Sequence, residues 1–320
     1  MKAIIYTKYG PPEVARLAEV QKPIPKDDEL LVKVNVTTVN RTDCGFRSAE
    51  YFIVRFFAGL LKPKNQILGS EFAGEVTAIG KNVTLFKVGD KVFGYNDIKF
   101  GAHSEYLVIN ENDSVVTMPK NLSFKEAAPI TEGAHYALCD IRAAKIKSGQ
   151  CVLINGATGA IGSAAVQIVK HIGAEVTAVC DTKNMELVKS LGANLVIDYT
   201  KEDFTKINQK FDVVFDAVGK SSFGKCKQIL KENGIYMSTE LGYLSQNPLL
   251  ALITPLFGGK KVLFPLPSIN KNDVLFLKEL VEKGSFKPVI DRSYSLAEIV
   301  EAYKYVETGQ KIGNVIITVG

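Results

Sequence analysis

Cys151-Val-Leu-Ile-Asn-Gly-Ala-Thr-Gly-Ala-Ile-Gly-Ser163 decides the reading of this chain. An apolar strand over 151–154 runs into a turn of small residues and then into a helical pattern from Ala160 to His171. Ala157, Thr158, Gly159, Ala160, Ile161 and Gly162 follow the order G-x-G-x-x-G, with alanine in the first glycine's place. Small residues let a backbone approach a pyrophosphate, and the helix behind them presents unpaired N–H groups and the positive end of its dipole. A second apolar strand, Glu175–Cys180, leads into Asp181, 19 residues after Gly162, close to the offset of about 20 at which an acid meets a dinucleotide's ribose. Alone, the glycine pattern also describes a ligand-free strand–helix turn. The strand before it, the helix after it and the acid beyond it point to a bound dinucleotide.

From this stretch the rhythm extends both ways. Strands are expected at 151–154, 175–180, 195–198, 211–215, 235–239 and 262–264, separated by helices at 160–171, 184–191, 201–207 and 221–231. Alternating strands and helices with continuous apolar strands imply a parallel sheet covered on both faces. Upstream the chain changes character. Glu29–Val36, Glu71–Gly80, Val88–Gly94 and Ser104–Ile109 alternate and are separated by frequent turns, the signature of a barrel-like β domain. Downstream of Ser268 come a helix over 273–282, a strand-like segment 287–290, a helix over 296–307 and a strand over 314–318. That tail is too short for a domain of its own. The expected division is 1–119, 120–268 and 269–320, the last returning to complete the first.

Composition bounds the function classes. The length of 320 residues suggests about two domains. A net charge of +5, from 39 basic and 34 acidic residues scattered along the chain, makes no case for nucleic acid and only mildly favours an anionic ligand. The five cysteines are odd in number and widely spaced, without a C-x-x-C, which suits a reducing, cytoplasmic setting without disulfides. Met1–Lys8 alternates like a strand rather than a signal peptide. No apolar run reaches the ~18 residues a membrane span needs. The apolar run Tyr51–Leu61, holding Arg55 and followed by Lys62 and Lys64, fits three roles: a helix over the substrate, a helix on the core, or reversible contact with a membrane surface.

Several further motifs stand in a fixed order: Val39-Asn-Arg-Thr-Asp43, Leu68-Gly-Ser-Glu-Phe-Ala-Gly74, Val88-Gly-Asp-Lys-Val-Phe-Gly94, Leu191-Gly-Ala-Asn-Leu-Val-Ile-Asp-Tyr199 and Phe215-Asp-Ala-Val-Gly219. With the 157–162 turn they resemble the medium-chain dehydrogenase/reductase superfamily, on its zinc-independent quinone oxidoreductase side, over nearly the whole chain. The resemblance implies a doubly wound parallel (Rossmann) sheet inserted into a GroES-like, partly open β-barrel. It also implies hydride transfer from NAD(P)H to a quinone or an α,β-unsaturated carbonyl. The apolar, β-branched strand 261–264 at the far edge of the sheet invites pairing, so a homodimer joined there is expected.

The family's metal-using members carry a cysteine where this chain has Asn40 and a histidine where it has Ser70. A carboxamide and a hydroxyl are poor zinc ligands. The region from 90 to 105, where a structural zinc would be held, has no cysteine. No metal is therefore expected, and His103 and His135 read as ordinary residues. Without a Lewis acid, an already electrophilic substrate needs only orientation and hydrogen bonds to its developing oxyanion. The resemblance places Asn40 and Tyr51 near the nicotinamide, Asn40 donating to the carbonyl and Tyr51 assisting or giving a proton. The mundane alternatives are a helix-capping turn for Asn40 and a core or lid aromatic for Tyr51. Asp43 and Glu71 read as structural, through turn hydrogen bonds or a pair with Arg47 or a lysine. Ala217, Val218 and Gly219 complete the cofactor edge. Asp181 suits the ribose of NAD(H), while the resemblance implies that Lys183 and Tyr199 contact the 2′-phosphate of NADP(H), which is the slightly favoured cofactor. Two other functions share these features: an alcohol dehydrogenase with atypical zinc ligands, and a non-catalytic NADPH-binding interaction protein.

Overall fold

The computed structural model describes residues 1–52 and 54–320. Its strands are β1 (Lys2–Ile5), β2 (Arg16–Glu19), β3 (Glu29–Val39), β4 (Glu71–Ile79), β5 (Lys91–Tyr95), β6 (Tyr106–Asn110) and β7 (Val115–Thr117). After them come β8 (Cys151–Asn155), β9 (Glu175–Cys180), β10 (Leu195–Asp198), β11 (Phe211–Asp216), β12 (Leu230–Ser238) and β13 (Lys261–Leu263), then β14 (Ile290–Ser295) and β15 (Asn314–Thr318). The chain clusters into two units. One holds Met1–Glu132, Ile269–Lys283 and Pro288–Gly320, and the other Gly133–Ser268 with Gly284–Lys287.

The second unit is a parallel sheet in the order β10-β9-β8-β11-β12-β13. Numbered within the unit, this is the 3-2-1-4-5-6 order of a doubly wound dinucleotide fold. β8 lies at its centre, with Val152, Leu153 and Ile154 fully buried, as a strand covered on both faces requires. The helix Ala160–His171 covers it through Ala164, Ala165, Val166, Ile168 and Val169. It stops at Gly173, whose φ of +87° is the left-handed position that favours glycine.

Three expected elements differ. Over 201–207 only the single turn Phe204–Lys206 forms. The Asp203 carboxylate accepts from the Thr205 N–H and hydroxyl and competes with a continuing helix. The helix expected over 221–231 shrinks to Phe223–Cys226 plus a 3₁₀ turn, because Leu230 already enters β12 beside Phe211. The strand expected at 287–290 begins at Ile290 instead, beyond Pro288, which has no N–H to give a ladder.

The first unit is built around the long strand β3. β4 pairs along one side, and β6 and β15 share the other, in a sheet ordered β14-β15-β3-β4-β5-β7 with β6 on β3. Its core joins Leu30, Val32, Phe72 and Val92 to Val315, Ile317 and residues of the helix Ile299–Glu307. The C-terminal segment thus supplies part of the core of the N-terminal one. Arg47 is wholly buried there. It donates to the Gly10 carbonyl and the Glu307 carboxylate and lies over the Tyr303 ring.

Candidate active site

In the second unit, the carboxyl ends of β8, β9 and β11 carry the predicted cofactor residues. Gly156 leaves β8 at φ +78°, and a side chain there would strike Val218. The glycine that makes the turn is therefore Gly156, one residue ahead of the Ala157 assigned to the first glycine's place. Ala157 is buried. Gly159 is the helix N-cap, with no side chain satisfying the first N–H groups, and the space where its Cβ would sit is open apart from Gly156 O at 3.6 Å. At Gly162 a Cβ would lie 2.1 Å from Gly156 O, so helix and turn meet there without room for any side chain. Ala160 and Ile161 form the first turn of the helix. Thr158 stands at the mouth of the turn, half-buried. The result is a backbone cradle with free donors, the form in which helix N-termini take phosphate.

Beyond β9, Asp181 opens a 3₁₀ turn, its Oδ1 accepting from Asn184 Nδ2 at 2.6 Å. Lys183 and Tyr199 are exposed beside the same strand ends. Between them is a residue the sequence reading passed over. Asp198 accepts from the Thr182 hydroxyl and from the Thr200 N–H (3.0 Å) and hydroxyl (2.6 Å), and these bonds hold its carboxyl well below the usual range. It ties the tips of β9 and β10 together. Ala217, Val218 and Gly219 follow β11, with Gly219 at φ +65°. The turn is fixed by fully buried Asp216, which accepts from Asn155 Nδ2 (3.0 Å), the Ser221 N–H (2.7 Å) and the Tyr236 hydroxyl (3.2 Å). An open hollow lined by Phe223, Lys227, Phe257 and Lys260 sits at the opposite, amino ends of β12 and β13.

In the first unit, Asn40 joins β3 to the helix Arg41–Ser48 as its N-cap. Its Oδ1 accepts from Asp43 N (2.9 Å), and Asp43 Oδ2 returns an acceptor to Asn40 N (3.2 Å). This reciprocal capping box is the mundane role open to Asn40. It leaves the amide nitrogen available, and one of its hydrogens goes to Ser70 Oγ at 2.9 Å. Asp43 also accepts from Gly69 N at 3.1 Å, and burial pushes its carboxyl up to about 8. Its hydrogen-bond partners are these backbone groups, with His103 Nε2 3.8 Å from its Oδ2; Arg47 pairs with Glu307 instead. Glu71 is fully buried. It accepts from Thr131 N (2.9 Å), Thr131 Oγ1 (2.8 Å) and Glu132 N (2.6 Å) on one oxygen and from Thr38 Oγ1 (2.7 Å) on the other. His103 has its Nε2 2.8 Å from Thr38 O and so donates there, which leaves Nδ1 to accept from Tyr303. Burial lowers its pKa to about 4.

These donors do not fit a zinc ion. The oxygen of Asn40 is spent on its cap, and both oxygens of Glu71 are engaged by four donors. Among the described residues no group of three His, Cys, Asp or Glu is arranged to hold a metal.

Tyr51 begins the apolar run, part of which, Ile53, lies outside the described residues. The run does not form a core helix. Among the described residues of the run, helix occurs over Val54–Ala58 and buries none of those residues, while Phe52, Phe56, Phe57, Leu60 and Leu61 are exposed. Gly59 and Pro63 end it early. Tyr9 anchors it, donating to Gly59 O at 2.6 Å and lying under Arg55.

The chain matches the family model for the alcohol dehydrogenase GroES-like domain over residues 26–120 and that for zinc-binding dehydrogenases over 191–317. It is 35% identical to a 2-methylene-furan-3-one reductase of Solanum lycopersicum, over 99% of this chain and 79% of that one. It is 30% identical, with the same coverage, to a chloroplastic NADPH-dependent alkenal/one oxidoreductase of Arabidopsis thaliana. The solved structure of the quinone oxidoreductase from Coxiella burnetii superposes with a TM-score of 0.88 at 28% identity, covering 100% of this chain and 99% of that one.

Proposed function

We infer that this chain, which belongs to the medium-chain dehydrogenase/reductase superfamily on its quinone oxidoreductase-like side, is an NAD(P)H-dependent oxidoreductase reducing a quinone or an α,β-unsaturated carbonyl. The observation that carries the reading is the backbone cradle at 156–162, open at Gly159 and closed at Gly162, in a chain whose relatives are named for those substrates. The bound nicotinamide would supply hydride. Gly159, Ala160, Ile161 and Gly162 would hold its pyrophosphate, and Ala217–Gly219 would line the same edge. Lys183 and Tyr199, exposed beside Asp181, support NADP(H) over NAD(H) as the cofactor.

The second hydrogen of Asn40 Nδ2 is assigned to the substrate oxygen, where an amide stabilises developing negative charge without a metal. Ser70 fixes the amide's orientation. Tyr51, half-exposed, is assigned to assist at the same oxygen, and the exposed apolar run behind it suits a substrate with a bulky apolar body. The reaction is read as metal-independent because the donors at Asn40, Ser70 and Glu71 are already committed to one another. A homodimer is proposed through β13, which ends the sheet, beside exposed Leu252, Leu256 and Phe257. Membrane contact through 51–61 is the less favoured use of that segment. Among the described residues no helix is long and apolar enough to cross a membrane. The five free cysteines fit a cytoplasmic setting.

The test is loss of the reduced-nicotinamide absorbance with a quinone and an enone in parallel, in the presence of a strong chelator. Turnover of either is expected, with NADPH preferred. Failure of both, with NADPH still bound, would overturn the enzyme reading in favour of a non-catalytic NADPH-binding protein. Turnover abolished by the chelator would favour an alcohol dehydrogenase with atypical zinc ligands.

A further inference from the structure

Asp181-Thr-Lys-Asn184 links β9 to the helix Met185–Ser190, and its first and last residues are spent on each other. Asp181 is the N-cap of the 3₁₀ turn Thr182–Asn184, yet its side chain caps none of that turn's N–H groups. Asn184 is the N-cap of the helix, and its side chain caps nothing there either. An aspartate or asparagine at such a position ordinarily satisfies the open N–H groups behind it. Here the Asn184 amide instead donates to Asp181 Oδ1 at 2.6 Å, a short bond to a charged acceptor and so a strong one. Among the described residues no hydrogen bond or ion pair reaches the other oxygen, Oδ2.

The second carboxylate at this edge is committed. Asp198 accepts from Thr182 on one oxygen and from Thr200 N and Oγ1 on the other, and Lys201 Nζ lies 3.4 Å from it. A single carboxylate oxygen, Asp181 Oδ2, is therefore left over. A ribose offers two vicinal hydroxyls, and a free carboxylate can accept one on each oxygen. NADP(H) carries a phosphate in place of one hydroxyl, and an acid repels it. The Asn184 bond bears on both cofactors. It fixes the plane of the carboxylate and occupies the oxygen that a second hydroxyl would need. It also lets a neutral donor take up part of the carboxylate's charge, which weakens the repulsion that a phosphate would meet.

We propose that Asn184 is a specificity-determining residue for the cofactor: by holding Asp181 Oδ1 it denies NAD(H) the second hydroxyl contact and lets NADP(H) compete at a strand end that carries an acid. The inference rests on the NAD(P)H reading above. The acid alone marks an NAD(H) site; its partner opens the site to both cofactors. Asn184 acts through Asp181 and not by touching the cofactor, so it is a positioning residue.

The experiment is a fluorescence titration of NADH and NADPH against wild type, Asn184→Ala, Asp181→Ser and the double variant, with thermal melts of the cofactor-free proteins. Because the Asn184 side chain caps no helix N–H, Asn184→Ala should melt close to wild type. With Asp181 released, NADH should tighten about five- to tenfold and NADPH should weaken about two- to threefold. The ratio of the two Kd values then moves toward NADH. In the Asp181→Ser background the same substitution should change neither Kd, because the carboxylate through which it acts is gone. Should Asn184→Ala fail to fold, Asn184→Ser carries the same test, as a good N-cap too short to span to Asp181. A folded variant whose ratio is that of wild type overturns this inference alone. So does an equal shift in the Asp181→Ser background, which would mean that Asn184 touches the cofactor itself. A wild-type protein that binds neither dinucleotide overturns the cofactor reading, and this inference with it.

Discussion

Gly159 and Gly162 lie three residues apart in one turn, and the structure predicts opposite consequences for giving each a methyl group. At Gly162 the new Cβ would sit 2.1 Å from Gly156 O, 2.8 Å from Gly156 C and 2.9 Å from Ala157 Cα. All three are backbone atoms, so no side chain can yield and the turn itself must open. Overpacking of this kind costs about 1–3 kcal/mol, which for a unit of this size lowers Tm by roughly 2–12 °C. At Gly159 the nearest contact is Gly156 O at 3.6 Å and φ is −69°, so alanine fits the apo protein. The remaining cost is that of alanine at an N-cap, under about 1 kcal/mol. That open space is where a pyrophosphate would lie against the backbone, so Gly159→Ala should weaken NADPH by tenfold or more, about 1.4 kcal/mol. The assay pairs a thermal melt of the cofactor-free variants with a fluorescence titration of NADPH. Gly162→Ala should lose both stability and affinity, Gly159→Ala affinity alone. A Gly159→Ala protein that binds NADPH like wild type would refute the placement of the phosphates over this turn.

Asn40→Ser keeps a good N-cap but removes the amide. It should melt within a few degrees of wild type while kcat/KM falls about 10²-fold; unchanged turnover removes Asn40 from the mechanism. Asp181→Ser should tighten NADPH about fivefold, the worth of relieving a like-charge contact near water of about 1 kcal/mol, and weaken NADH; equal affinities before and after, by titration, would put the 2′-position elsewhere. Glu132→Gln should be more stable than wild type at pH 8. A carboxyl raised from 4.5 to about 8 on folding has its full stability below the unfolded value and loses it as pH rises through the folded one. The gap between the two proteins therefore opens across that window, to at most about 5 kcal/mol. Denaturant melts at either end would show it, and parallel curves would mean that Glu132 ionises freely in the folded protein.

The second unit was legible because its signal is local. A fully buried parallel strand must be continuously apolar, and a tight strand–helix turn must be small, so Val152–Ile154 and Gly156–Gly162 announce themselves without any distant partner. Even there, counting the motif from Ala157 hid Gly156, whose positive φ does the turning. The misread elements failed for equally local reasons that periodicity does not register. Asp203 satisfies Thr205 before a helix can, and Gly59 cuts short an apolar run that otherwise scans as eleven helical residues.

The first unit's polar cluster is of another kind. Asn40 could be singled out because it stands in a motif, and its capping role and its spare amide hydrogen are both consequences of that one position. Glu132 stands at a helix start, where an acid is ordinary and usually solvated, and nothing in its neighbours along the chain distinguishes it. What changes its chemistry is Thr42, 90 residues away, and Glu71, 61 residues away. Burial and the Glu71 charge push its carboxyl up to about 8, against the hydrogen bonds from Tyr95 and Thr42. A raised carboxyl of this sort is made by three-dimensional enclosure rather than by residue type or spacing. It follows that the donor set which makes this site a poor zinc site is also an enclosure in which the buried carboxyls of Asp43 and Glu132 are both pushed up to about 8.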